Sequence, residues 1–185
     1  MCCRFFAPGE DNPEYADFIS GLKNTSQIKT GCEVFPRDTV AVLANNRQQV
    51  PAPFPMRWGF TEFGKLIFNT RSETAAAKPL FRDGIMNRRC LVPAICYYEW
   101  DQDKNKFEIG PVKSELIWIA GIYRFEENTP VFSILTRAPS DELRKIHERM
   151  PVIIPNKNKF TWLEKEADPD LLIKTSLMNL QFAQT

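Results

Sequence analysis

Apolar positions along the chain fall into two kinds of pattern. Between residues 13 and 24, Tyr15, Phe18, Ile19 and Leu22 recur at i, i+3, i+4 and i+7 behind Pro13. That spacing predicts an amphipathic helix with proline in its first turn. Elsewhere the apolar runs are short, β-branched and bounded by Pro, Gly, Asn or Asp; those at 32–43, 66–69, 88–98, 116–123 and 131–136 predict strands. A short helix is predicted over 72–77, ended by Lys78 and Pro79, and another from an N-cap at Ser140 to about His147, limited by Pro151. Two more close the chain, near 158–165 and 169–178. Strands outnumber helices without regular βαβ spacing, so the pattern predicts an α+β fold with a mainly antiparallel sheet rather than a doubly wound one.

No repeat, low-complexity tract or linker divides the 185 residues, which predicts a single domain over 1–185. With 43% apolar and 12% aromatic residues the chain can bury a core, which excludes disordered and collagen-like classes. No run reaches the ~18 apolar residues that span a bilayer. Met1 to Phe6 lack the basic-then-apolar order of a signal peptide. Five cysteines (Cys2, Cys3, Cys32, Cys90 and Cys96) without secretory context predict free thiols and a cytoplasmic location. There is no Cys-x-x-Cys pair and one histidine, so neither a metal nor a cofactor is expected. A monomer is the default expectation.

Net charge is +1, from 24 basic against 23 acidic residues, which argues against a strongly basic nucleic-acid binder. The distribution is uneven. Residues 47–89 carry Arg47, Arg57, Lys65, Arg71, Lys78, Arg82, Arg88 and Arg89 against Glu62, Glu73 and Asp83, while 90–130 is net acidic. Such an excess marks either a phosphate-binding face or a solvated surface.

Four residues have side chains suited to chemistry, each with an ordinary alternative. Cys2, exposed by loss of Met1, carries a free amine and a thiol on one residue; such an aminothiol condenses with an aldehyde to an imine and closes a thiazolidine ring. It is otherwise a small buried hydrophobe. His147 is the one imidazole and can shuttle a proton, or it caps a helix C-terminus. Glu99, in Cys96-Tyr97-Tyr98-Glu99-Trp100, alternates to the face opposite Tyr98 and Trp100. In an apolar strand its pKa is biased upward, as suits a general acid/base; on a strand end it simply faces water. Asn69, leaving a strand toward a helix, can orient a sugar or form a turn, and Arg71 beside it can hold phosphate.

Five stretches in order resemble the SRAP family, the SOS response-associated peptidases or abasic-site-processing proteins. They are Met1-Cys2-Cys3-Arg4-Phe5, Arg57-Trp58-Gly59, Asn69 to Thr74, Arg89 to Ala94 running into Tyr98-Glu99-Trp100, and His147 to Val152. The resemblance implies a bifurcated, mainly antiparallel sheet with a small barrel, surrounded by helices. It also implies covalent capture of abasic sites in single-stranded DNA as part of a DNA-damage response, without cofactor, by a protein that is nucleoid-associated when bound. In that reading Cys2 is the nucleophile, Glu99 the acid/base, Asn69 the positioning group and His147 the proton-transfer residue. Arg4, Arg71 and Arg149 hold phosphates; Arg57 belongs to the same DNA-binding set, and Trp58 and Trp100 stack on bases or pack as walls. Cys3 stands where the family usually has Gly, Ile95 and Cys96 replace its Asp and Gly, and Cys32 to Pro36 is a loose form of its Asn-x-Ala-Pro turn. Two rival functions remain open at this point: a thiol (auto)peptidase using Cys2 and His147, and a non-catalytic nucleic-acid-binding domain.

Overall fold

The structure, a computed structural model, describes residues 2–22, 25–112, 115–177 and 179–185. In chain order, Arg4–Phe6 forms β1, Pro13–Ile19 α1, Glu33–Val34 β2, Thr39–Asn45 β3, Pro51–Trp58 β4, Phe60–Glu62 β5 and Lys65–Ile67 β6. Asn69–Arg71 is β7, Ser72–Ala75 α2, Pro79–Asn87 α3, Arg89–Ala94 β8, Cys96–Trp100 β9 and Lys106–Gly110 β10. Ile117–Glu126 is β11, Thr129–Arg137 β12, Met150–Pro151 β13, Ile153–Ile154 β14, Pro169–Lys174 α4 and Gln181–Gln184 β15.

These strands build two systems. β12, β4, β3, β8 and β11 follow one another, and pairing of β11 with β12 closes them into a five-stranded barrel. An open antiparallel sheet runs β15-β10-β9-β1-β2. β8 and β9 are separated only by Ile95, whose N–H donates to the Phe6 carbonyl at 2.9 Å, so one stretch of chain passes from barrel to sheet. The two parallel pairings, β12 with β4 and β12 with β7, are the exceptions to antiparallel order in the barrel system. The fold is α+β.

Side chains of alternate parity explain why the barrel strands read as unbroken apolar runs. Val40, Val42, Val92, Ile119, Phe132 and Ile134 point into one cluster with Trp58, and Ala41, Leu43, Leu91, Ala120, Ile122 and Leu135 into a second. The second lies under helices α1 and α3, whose Tyr15, Ile19, Phe81 and Ile85 belong to it. A strand covered on both faces loses its polar alternation.

Several boundaries differ from those the sequence predicts. The first helix ends at Ile19, where Ser20 turns its hydroxyl onto the Asp17 carbonyl at 2.7 Å; Lys23 and Asn24 of the expected helix lie outside the described residues, as do Met1 and Met178. The run 32–43 breaks at Phe35 to Asp38, where the Asp38 carboxylate accepts the Phe35 N–H at 2.9 Å and Arg37 takes a φ of 84°. The helix expected after Ser140 is a single 3-10 turn at Leu143–Lys145, although the Ser140 hydroxyl does accept the Leu143 N–H. The stretch 158–165 lies across two 3-10 turns, Asn156–Asn158 and Thr161–Leu163, rather than one helix. The last predicted helix stops at Lys174.

Candidate active site

β1 holds the middle of the open sheet, with Phe5 opposite Val34 on one side and Tyr97 on the other. Phe5 is buried against Trp58, their ring centroids 5.2 Å apart, which fixes the start of the chain at one end of the barrel. Cys2 is consequently 0% exposed. Its thiol lies 3.9 Å from the Arg4 carbonyl, and its own carbonyl accepts a 2.7 Å hydrogen bond from Asn69 Nδ2. Asn69 is delivered there by the parallel pairing of β7 with β12, which sets it beside Ile134. Its Oδ1 is buried with no donor among the described residues.

Glu99 enters from β9 and is 2% exposed. Burial pushes its carboxyl up to about 7, against the opposing pull of the amino-terminal charge. Tyr97, two residues earlier on the same strand face, is buried beside it; burial first, and then the charges of Cys2 and Glu99, drive its phenol well above the usual range. The Cys2 thiol is raised too, by burial and then by Glu99. Cys3 is half-buried, with its thiol raised by the same two causes.

His147 follows the 3-10 turn and is half-buried. Its Nδ1 accepts the Arg149 backbone N–H at 3.0 Å. Burial, and then the amino-terminal charge, lower its pKa below the ordinary 6.5, so the ring is mainly neutral at pH 7. The end of the barrel thus joins a protonated thiol, a carboxyl that titrates near neutrality and a neutral imidazole. A group whose pKa matches the working pH is suited to giving and taking protons in one cycle.

The basic and aromatic residues divide. Arg4 is sandwiched between Phe35, 4.4 Å from the guanidinium, and the Trp100 ring at 4.9 Å, and it pairs with Glu33 at 3.1 Å. Arg149 forks onto Glu73 at 2.7 and 2.8 Å and donates to the Thr136 carbonyl. Arg71, where β7 hands over to α2, is exposed. Arg57 is not brought to this end: it pairs with Glu126 near the β11–β12 turn. Trp58 is a wall residue and not a stacking platform, because it is fully buried, donates Nε1–H to the Phe68 carbonyl at 2.8 Å and stacks on Phe132. Glu73 and Phe35, which hold Arg149 and Arg4 here, stand within the stretches Asn69 to Thr74 and Cys32 to Pro36, and that position is their one signal in the sequence. Among the described residues no His, Cys, Asp and Glu side chains gather into a metal-binding group.

A five-stranded barrel joined to an open antiparallel sheet, with Cys2 buried at one end of the barrel, defines a class of α+β domain. Within that class the chain belongs to the SOS response associated peptidase (SRAP) family, which it matches over residues 1–183. Abasic site processing protein YoqW of Bacillus subtilis (strain 168) is 35% identical over 135 residues, 63% of this chain and 60% of that protein. The similar YoaM of the same organism is 33% identical over 187 residues, covering 91% of this chain and 74% of its own length. The chain therefore spans about 60% of the length of YoqW. Among solved structures, a Bacteroides thetaiotaomicron protein superposes with a TM-score of 0.80 at 19% identity, covering 99% of this chain and 91% of its own. A Bordetella bronchiseptica protein gives 0.79 at 21% identity, with 100% and 99% covered. These two bear on the fold.

Proposed function

We propose that this protein captures abasic sites in single-stranded DNA covalently, with Cys2 as the reacting residue once Met1 has been removed. The observation that carries the reading is the 2.7 Å bond from Asn69 to the Cys2 carbonyl beside a buried carboxyl that titrates near 7. The names of YoqW and YoaM, abasic site processing proteins, support DNA as the target.

The chemistry balances without a cofactor. The Cys2 amine adds to the aldehyde of the ring-opened deoxyribose to give a carbinolamine. Glu99, in its protonated form, donates to the departing hydroxyl, which leaves as water, and a C=N bond forms. The nitrogen returns its proton to the Glu99 carboxylate, leaving a neutral imine, and the thiol then adds across that bond; sulfur joins carbon, the thiol proton passes to nitrogen, and a five-membered thiazolidine closes. Neutral His147 accepts and returns the proton that moves when the sugar ring opens. Asn69 positions Cys2 through its carbonyl, and its unpartnered Oδ1 accepts from a sugar hydroxyl. Arg71 is exposed for a phosphate, Arg149 exchanges Glu73 for one, and the Arg4–Trp100 pair offers a face to a base, where stacking contributes ~1–3 kcal/mol.

The test is a crosslinking assay. Purified protein incubated with a single-stranded oligonucleotide bearing one abasic site is expected to give a heat-stable adduct. Cys2→Ala abolishes it and Cys3→Ala retains it, since only the first residue can supply both amine and thiol. A wild-type protein without adduct, or Cys2→Ala with the same adduct, refutes the proposal.

A further inference from the structure

The barrel has two ends, and Cys2 occupies one. At the other, a cavity of about 520 Å³ opens among the ends of β3, β4, β8 and β11, within the size range of small-molecule sites. The sequence supplies a reason for the opening. Pro51, Pro53 and Pro55 recur at every second position of β4, so their missing N–H groups all fall on one edge. β12 pairs with β4 only at Arg57 and Trp58, and the wall stays unsealed beyond them. Pro130 of β12 lines the cavity, whereas Thr136 of the same strand accepts from Arg149 beside His147. Six residues at ~3.3 Å each separate the two by about 20 Å.

Three features of this mouth point to one kind of ligand. The first is charge: Arg47, Arg88, Arg89 and Lys165 line it against a single carboxylate, Asp83, which pairs with Arg88 at 3.1 Å. The Arg89 guanidinium is buried and donates to the carbonyls of Ile85, Trp162, Glu164 and Ala167. Among the described residues it makes no ion pair; carbonyl dipoles hold its charge, with the Glu166 carboxylate acting from beyond bonding distance. Three of the eight basic residues in the 47–89 excess therefore meet here, away from Cys2. The second feature is aromatic: Tyr123 and Phe125 make an edge-on pair with centroids 6.1 Å apart, with Phe54 also lining the cavity. The third is Asn45, whose Nδ2 donates to the Leu163 carbonyl at 3.0 Å while its Oδ1 is buried without a donor among the described residues.

Cations, an aromatic surface and an unmet acceptor correspond to the phosphate, the planar base and the base N–H of a nucleotide. We propose that this mouth of the barrel binds a nucleotide, free or as one unit of a DNA strand, at a site separate from Cys2. The proposal does not rest on the Cys2 chemistry.

Titration of the whole protein with deoxyadenosine 5′-monophosphate, followed by NMR of the backbone amides, tests it. Saturable shifts are expected at Asn45, Arg47 and Tyr123. Deoxyadenosine and inorganic phosphate are expected to bind at least tenfold more weakly. The double variant Arg47→Glu with Lys165→Glu changes two exposed side chains and is expected to lose at least tenfold in nucleotide affinity while keeping the native spectrum. Affinity of that variant for lesion-free single-stranded DNA separates the sources: a parallel loss assigns the site to a strand unit, and no change assigns it to a free nucleotide. Shifts absent, or confined to the Cys2 end, overturn the proposal. So does wild-type nucleotide affinity in the double variant, or equal binding of deoxyadenosine or phosphate alone.

Discussion

Replacing Glu99 by Gln converts the raised carboxyl into a measurable difference in stability. Glu99 takes its proton near 7 in the folded protein and near 4.5 when exposed. Below pH 4.5 the group is protonated in both states and imposes no penalty. Between 4.5 and about 7 the unfolded chain ionises while the folded one stays neutral, and stability is lost progressively. Above the folded pKa the loss is complete. At ~1.4 kcal/mol per pH unit the gap corresponds to about 3 kcal/mol. Gln fills the same volume and cannot ionise, so Glu99→Gln is expected to match the parent near pH 4.5 and exceed it by about 3 kcal/mol at pH 8. Urea denaturation at pH 4.5, 6 and 8, followed by tryptophan fluorescence, gives both curves. Taking the difference between the two proteins cancels the shared titrating groups that do not interact with residue 99. A difference that is the same at pH 4.5 and pH 8, within ~0.5 kcal/mol, would show that the carboxyl is not held neutral by burial and would remove its case as a proton donor at neutral pH.

Two further substitutions probe the scaffold around the site. Asn69→Ala deletes the 2.7 Å donor to the Cys2 carbonyl; a hydrogen bond of this kind is worth ~1 kcal/mol or somewhat more, so abasic-site crosslinking is expected to slow about tenfold, read from the time course on a denaturing gel. A wild-type rate would remove Asn69 from its positioning role. Arg89→Met removes the guanidinium that ties β8 to α3 and to the segment 162–167. Leaving those buried carbonyls without a donor is expected to cost about 3 kcal/mol and lower Tm by ~6–12 °C, and an unchanged melting curve would contradict the bonding described.

What the sequence discloses differs between the local and the distant. The strands at 117–126 and 129–137 are visible because β-branched residues bounded by turn formers repeat within the run. Barrel closure is not, because it depends on β12 meeting residues 57–58 and 69–71 in parallel, and no periodicity within either segment encodes the partner. β4 is hidden for a further reason: three prolines in eight residues argue against a strand, yet all three point their missing donors at one edge. The stretch 158–165 reads as a helix, but tertiary bonds win instead, with Arg89 donating to the Trp162 carbonyl and the Trp162 indole donating to the Cys90 carbonyl at 3.0 Å. At the site, residue types and order were legible, whereas burial was not. Trp58 is an aromatic beside an arginine, a pattern equally suited to stacking on a base, and only its packing against Phe5, Phe68 and Phe132 places it inside.

The seating of Cys2 also has a temporal side. β1 touches β2 early in the chain, but its other neighbour is β9, some ninety residues later, and the barrel end that encloses the thiol is completed by β12. Pairings so far apart in sequence are slow to form, since the intervening chain must be ordered before the contact repays it. A chain interrupted before residue 129 can form the β3–β4 hairpin and the β9–β10 hairpin, but it cannot close the barrel. A residue that precedes every strand of the domain is therefore among the last to be shut away from water, and its enclosure reports on whether the whole domain has folded.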